Sequence, residues 1–487
     1  MARKKILIVV GTQQKGFFIS LAHRLAESAD VRIAVFKADI ADALRPYLPG
    51  TCIEVMDFRR GAPEGEQTVL RECLRVERAY GETMSMLCSQ DRALGHAYLL
   101  NIDRYPMASR AKWDLARKYA SIVGEIACYE DLIERGKPDL VLSQTILRTL
   151  WLITRSKGIS YRAPGLIKFG TRLFWVDCPE YSSKAYVSAI KQRLIEEGGA
   201  AVSDEAAYEQ EAGSKLNHSK IRFSYGSALR KAMRIAFKDV YSRLRGRSKE
   251  DSYPLFGWIP SLFASVANHR FVAAHGQRPQ DLAGRRIVYF PLHLEPEVAL
   301  LSVSPEFNNS IEMISWISKA LPADAVLVIK EHPLSFGVRA RSYYERVLRI
   351  PNACWADPQV PSWDWIEQAT IVATITGTAA IEAVHHGKPV LSYGRHQVVN
   401  YLPSARFASD YRSTREAIGE LLDGKADAAV CARSRRALRQ AQLDVSFSAP
   451  GFEKTYASRH PQPEVAEHAF EALLRYHGDL FGGETAR

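Results

Sequence analysis

Two short motifs in the C-terminal half carry residue types that can hold an anion. Lys330-Glu331-His332-Pro333 closes the apolar run 325–329, and Thr376-Gly377-Thr378-Ala379-Ala380 closes the apolar run 371–375. Each sits just beyond the carboxyl end of an expected buried strand, the edge at which open α/β sheets bind nucleotides. A helix opening at Thr376-Gly377-Thr378 leaves its first amides without intrahelical acceptors, at the positive end of its dipole. That arrangement suits phosphate. Gly377 admits a close approach, and Thr376 or Thr378 offers a hydroxyl. An imidazole at His332 can hydrogen-bond the same anion, while Pro333 fixes the chain direction after it. Lys330 can add a point charge. Each motif also has a plainer reading, a Thr-capped turn or a strand end with exposed charges. Together they suggest a site for an activated sugar.

Other candidates flank these motifs. The stretch 289–297, Tyr-Phe-Pro-Leu-His-Leu-Glu-Pro-Glu, contains two prolines and reads as a stiff loop presenting His293, Glu295 and Glu297. A carboxylate there could serve as general base, so Glu295 and Glu297 are candidate catalytic residues. Glu382 lies just over a turn into the helix that starts at Gly377 and could reach a ribose hydroxyl. In the first half, the loop 11–16 before a helix is a place for acceptor contacts through Gly11, Gln13 and Lys15. Asp177 and Glu180 follow a strand-like segment, and Asp177 is the N-terminal candidate for the catalytic carboxylate.

The elements that must position these residues alternate in two series. The first runs from a strand at about 5–10 through a helix at 17–28, strands at 31–36 and near 52–56, a helix-rich stretch at 66–135, a buried strand in 137–144 and a β-rich segment at 161–177. The second opens near 285 and ends with helices at 413–422, 427–443 and 464–477. Alternation of this kind predicts parallel sheets. The expectation is an α/β chain with two Rossmann-like domains facing a cleft (GT-B type) and a helical, basic insertion. The expected divisions are 1–180 for the acceptor domain, 181–283 for a linking region with helices at 184–197, 203–212 and 226–245, 284–445 for the donor domain, and 446–487 for a helical tail.

A chain of 487 residues exceeds one ordinary core. No segment approaches the ~18 apolar residues of a membrane span. There is no GxGxxG and no P-loop signature, which leaves little for a nicotinamide or P-loop reading. Seven dispersed cysteines without CxxC or Cys/His spacing fit a reducing cytosol and give no zinc pattern. No metal or other cofactor is expected. The net charge of +11 concentrates in 214–249, with eleven Lys/Arg against the single acid Asp239. Such a block suits an anionic membrane surface, or it is simply a solvated linker. Few aromatics interleave with the basic residues, so nucleic acid is not the expected partner.

The segments 289–297, 330–333 and 376–391, in this order and spacing, resemble bacterial capsular and surface polysaccharide biosynthesis proteins, including the β-Kdo transferases of capsule export. The resemblance covers roughly 285–403 well and the N-terminal half only in outline. It implies a GT-B glycosyltransferase, a CMP-linked acidic sugar donor such as CMP-Kdo, and a lipid-linked or oligosaccharide acceptor. It places His332-Pro333 in the nucleotide site and the donor phosphate at Thr376 to Thr378. A cytoplasmic location follows, peripheral at the inner face of the membrane. Alternatives are a CDP-glycerol or CDP-ribitol polymerase of teichoic acid synthesis, a UDP-sugar transferase or 2-epimerase on the same fold, or a polyanion- or membrane-binding protein with degenerate α/β units.

Overall fold

The computed structural model describes residues 3–94, 110, 113–180, 182–196, 222–244, 255–295, 299–450, 452 and 460–477. Glu297, the expected helix 203–212, and the ends 214–221 and 245–249 of the basic block lie outside them. The chain divides into two compact units. Unit 1 comprises Met1–Cys88, Asp114–Lys215 and Arg439–Arg487, and unit 2 comprises Ser89–Trp113 and Leu216–Leu438.

Unit 1 holds strands β1 (Lys4–Val10), β2 (Ala29–Val35), β3 (Cys52–Val55), β4 (Leu140–Ser143), β5 (Ser160–Leu166), β6 (Arg172–Val176) and, from the far end of the chain, β13 (Ser446–Ser448). Their order is β13-β6-β5-β4-β1-β2-β3. The five strands β1 to β5 are parallel to their neighbours, while β6 and β13 join antiparallel. Ile6 to Val10 are all buried, which explains an unbroken apolar run. Helices α1 (Lys15–Ala26), α2 (Ala38–Leu44), α3 (Glu66–Tyr80), α4 (Met84–Gln90), α5 (Leu115–Gly136), α6 (Arg148–Ser156) and α7 (Lys184–Glu196) follow in chain order. Asp114 caps α5 by accepting from the Arg117 amide at 2.7 Å.

Unit 2 holds β7 (Arg286–Pro291), β8 (Ala325–Lys330), β9 (Ala353–Trp355), β10 (Ile371–Thr374), β11 (Val390–Ser392) and β12 (Ala405–Phe407), all parallel, in the order β12-β11-β10-β7-β8-β9. Its helices are α8 (Tyr225–Leu244), α9 (Leu255–His275), α10 (Ser310–Ala320), α11 (Arg341–Leu348), α12 (Ser362–Gln368), α13 (Thr378–His385) and α14 (Tyr411–Leu422). Helix α15 (Ala428–Val445) carries the chain back into unit 1, where α16 (Pro463–His477) ends the described residues.

Two Rossmann-like sheets bear out the α/β class. The expected divisions need correcting. Residues 446–487 are no separate tail: β13 extends the first sheet, and Trp175 Nε1 donates to the Ala469 carbonyl at 2.9 Å. The linking region is split, with α7 in unit 1 and α8 and α9 in unit 2. Helix α9 was not expected, because Pro260 interrupts it and its apolar residues do not keep to one face.

Candidate functional site

In unit 2 the chain lays down β7, β8 and β9 in one direction and β10, β11 and β12 in the other. The reversal falls between β7 and β10. Open α/β sheets bind ligands outside the carboxyl ends of their strands at such a point. His293 leaves β7 there and Thr376 leaves β10.

The two residues are joined directly. The Thr376 amide donates to His293 Nε2 at 3.0 Å. Nε2 is therefore an acceptor, and the proton of the neutral ring sits on Nδ1. Burial, with Arg339 and His332 nearby, lowers the His293 pKa to about 3. Next in the chain, the Gly377 amide donates to Thr374 Oγ1 at 3.0 Å, and Gly377 is the residue before α13. A Cβ on Gly377 would lie 2.8 Å from Thr374 Oγ1 and 3.3 Å from His293 Nε2, so the turn has room only for glycine. Thr378 is exposed, and no acid occupies the first turn of α13 to compete for its amides. The Thr376 hydroxyl oxygen is buried without a protein partner.

His332 stands at the end of neighbouring β8. It is half-buried, and its Nδ1 accepts from the Leu334 amide at 3.3 Å, which leaves the neutral-ring proton on Nε2. Pro333 opens a short 3₁₀ turn, Pro333–Ser335, that fixes this geometry. Glu382 is half-buried on α13 and close enough to bear electrostatically on the Tyr289 hydroxyl.

Three side chains do not behave as expected. Glu295 is not presented to solvent: it is buried and pairs with Arg339 Nη2 at 3.1 Å. Glu331 is buried on the same guanidinium, through Nη1, and accepts from Tyr344 OH at 3.0 Å and from the His332 amide at 2.7 Å. Burial pushes both carboxyl pKa values up, with Arg339 opposing. One cation thus faces two buried acids, and the charge of Glu331 adds to the upward shift of Glu295. Lys330 is not a free point charge either. Its buried ammonium donates to the carbonyls of Val360 at 2.6 Å and Asp357 at 3.3 Å, and burial lowers its pKa to about 8.

Arg339 was missed by sequence reasoning. It buries its whole side chain and donates through Nη2 to the His293 carbonyl at 3.1 Å. It thereby ties the loop after β7 to the turn after β8. The available signal was two acids, Glu295 and Glu331, just after apolar runs, with Arg339 only eight positions beyond Glu331.

Unit 1 has its own reversal, between β1 and β4. Gly11 follows β1, is buried, and donates its amide to Gln144 Oε1 at 3.1 Å. Gln13 is exposed, Gln14 is left-handed at φ 57°, and Lys15 is buried at the start of α1. Gly16 packs against the His460 carbonyl with no space for a Cβ. Asp177 lies elsewhere. Because β6 runs antiparallel to β5, with Val176 opposite Ala163, Asp177 falls beside Arg162 rather than beyond the carboxyl edge. Its carboxylate pairs with that guanidinium at 2.9 Å. Glu180 pairs with Arg148 at 2.9 Å, and Arg148 also holds Glu82 at 2.7 Å. Among the described residues no group of three His, Cys, Asp or Glu is disposed to hold a metal ion.

Comparisons with known proteins bear on this site. No curated protein matches the chain in sequence. Solved structures similar to it include the beta Kdo 2,7 transferase KpsC of Thermosulfurimonas dismutans, at 14% identity over 72% of this chain and 89% of that chain, with a TM-score of 0.35. The UDP-GlcNAc 2-epimerase from Neisseria meningitidis, bound to UDP-GlcNAc, shares 12% identity over 91% of this chain and 98% of that one, with a TM-score of 0.28. The spinosyn rhamnosyltransferase SpnG, complexed with spinosyn aglycone, shares 12% over 90% and 98%, with a TM-score of 0.28. The sequence profile described as "Capsule polysaccharide biosynthesis protein" matches residues 205–398, a span that holds β7, β8, β10 and every turn of the site just described. Over residues 205–398, which carry the site, this chain is thus similar to capsule polysaccharide biosynthesis proteins.

Proposed function

We propose that the chain is a glycosyltransferase of capsule or surface-polysaccharide synthesis, with unit 2 as its nucleotide-sugar side. The observation that carries this reading is the convergence of three separate motifs on one carboxyl sheet edge, joined by the bond from Thr376 to His293. In this reading the donor is a CMP-linked acidic sugar of the Kdo type. Its single phosphate meets the opening amides of α13 and the His332 imidazole, a matching scale of anion site. Negative charge grows on that phosphate as the sugar departs, and the helix dipole and imidazole stabilise it where it forms. Thr376 and Thr378 supply hydroxyl donors, and Glu382 a ribose contact. The acceptor, a lipid-linked or oligosaccharide chain, is assigned to unit 1 near Gly11, Gln13 and Lys15. The ion pairs of Asp177 and Glu295 argue against either as the base.

A thermal-shift screen with CMP, CDP, UDP and GDP tests the donor class, since a ligand of the folded state raises apparent stability with saturation. Selective stabilisation by CMP, lost in His332→Ala, is the expected result. Stabilisation by UDP alone would replace the CMP reading with a UDP-sugar enzyme.

A further inference from the structure

Helix α8 presents three distinct faces. Ala228 and Ala232, one turn apart, are buried, and α8 packs along α9. On another face Leu229, Met233, Phe237, Val240, Tyr241 and Leu244 recur at three- and four-residue spacing and are 47–81% exposed. The rings of Phe237 and Tyr241 stack with centroids 6.5 Å apart. Along one flank of this stripe lie Arg230, Lys231, Arg234 and Lys238, all exposed. Asp239 is the only acid in the helix sequence.

A solvated linker accounts for the basic residues but not for the apolar stripe. A contiguous exposed apolar patch marks an interaction surface. A second copy laid antiparallel on this helix would bring two basic flanks together, and in either direction it leaves the cations of the flank without an anionic partner. An anionic lipid surface satisfies both faces at once: apolar side chains enter the headgroup–acyl boundary while Lys and Arg stay among the phosphates. No helix among the described residues is long and apolar enough to cross a membrane, so such a helix lies on the surface.

We infer that α8 is an interfacial helix that docks this chain on anionic lipid by inserting Leu229, Met233, Phe237, Val240, Tyr241 and Leu244. Charge alone would give attachment that salt removes; insertion adds a component that salt does not screen. The inference stands apart from the donor chemistry, since no residue of the stripe belongs to the site around His293 and Thr376.

The test uses the full chain with vesicles of phosphatidylcholine, alone or mixed with phosphatidylglycerol. Cosedimentation is expected with the anionic vesicles and not with the zwitterionic ones. The double variant Phe237→Ala, Leu244→Ala should bind about tenfold or more weakly, following the apolar area it removes. Its circular dichroism and nucleotide thermal shift should match wild type, because both side chains are exposed. Phe237→Trp should add a blue-shifted emission component only with anionic vesicles. Failure to cosediment, or unchanged affinity in the double variant, would overturn the proposal. So would lipid-free self-association of wild type that the double variant abolishes, which would make a second copy the occupant.

Discussion

The His293 ring accepts the Thr376 amide at 3.0 Å, across the point where the second sheet reverses its order. This bond requires a neutral ring, since a doubly protonated imidazole has no acceptor. Its consequence is a specific acid sensitivity. The unfolded ring takes up a proton near pH 6.5, while the folded ring refuses it until about pH 3. The stability it contributes is complete above pH 6.5 and is lost as pH falls toward 3, at up to about 1.4 kcal/mol per pH unit. Urea denaturation of wild type and His293→Gln between pH 7 and 4 should show wild type losing ground to the variant on acidification. Parallel pH profiles would contradict the buried, neutral assignment.

Arg339 holds two buried carboxylates and the His293 carbonyl. Arg339→Met leaves both acids without their cation and should destabilise the protein by about 3–5 kcal/mol. Adding Glu295→Gln and Glu331→Gln should restore part of that loss in the same urea measurement. If the triple variant is no more stable than the single one, the guanidinium is not acting through its charge.

Gly377 has an ordinary negative φ of −72°, so only space restricts it. Gly377→Ala should cost no more than about 2 kcal/mol, through contact with Thr374 Oγ1 and His293 Nε2. The stabilisation by CMP should nevertheless disappear, because the methyl group disturbs the turn that opens α13. A retained CMP shift would place the phosphate elsewhere.

Truncation after Val445 tests the far end of the chain. It removes β13 from the edge of the first sheet, the Ala469 acceptor of Trp175, and the Glu467 partner of Arg24 at 2.8 Å. The buried faces of α1 and β6 would be left open to water, so unit 1 should lose its cooperative unfolding transition. An unchanged melting profile would show that this segment only decorates the fold.

Much of the framework was legible in the sequence because local patterning is enough to specify it. Runs such as 6–10 and 325–329 are apolar at every position, as strands covered on both faces require. The motifs at 330–333 and 376–380 were legible for the same reason: polar residues following such a run must lie at the sheet edge. His332, Gly377 and Thr378 are found there.

What each side chain faces was decided by partners distant in sequence. Glu295 is buried because Arg339, 44 positions onward, reaches it. Lys330 turns inward because the carbonyls of Asp357 and Val360 await its ammonium. Asp177 leaves the carboxyl edge because β6 reverses direction against β5, and a β-rich composition carries no sign of direction. The basic block likewise announced its charge in the sequence. Only the packing of Ala228 and Ala232 fixed the rotation of α8 that turns Phe237 and Leu244 outward. Local periodicity sets which elements form, whereas burial depends on which elements meet, and that is a property of the tertiary structure.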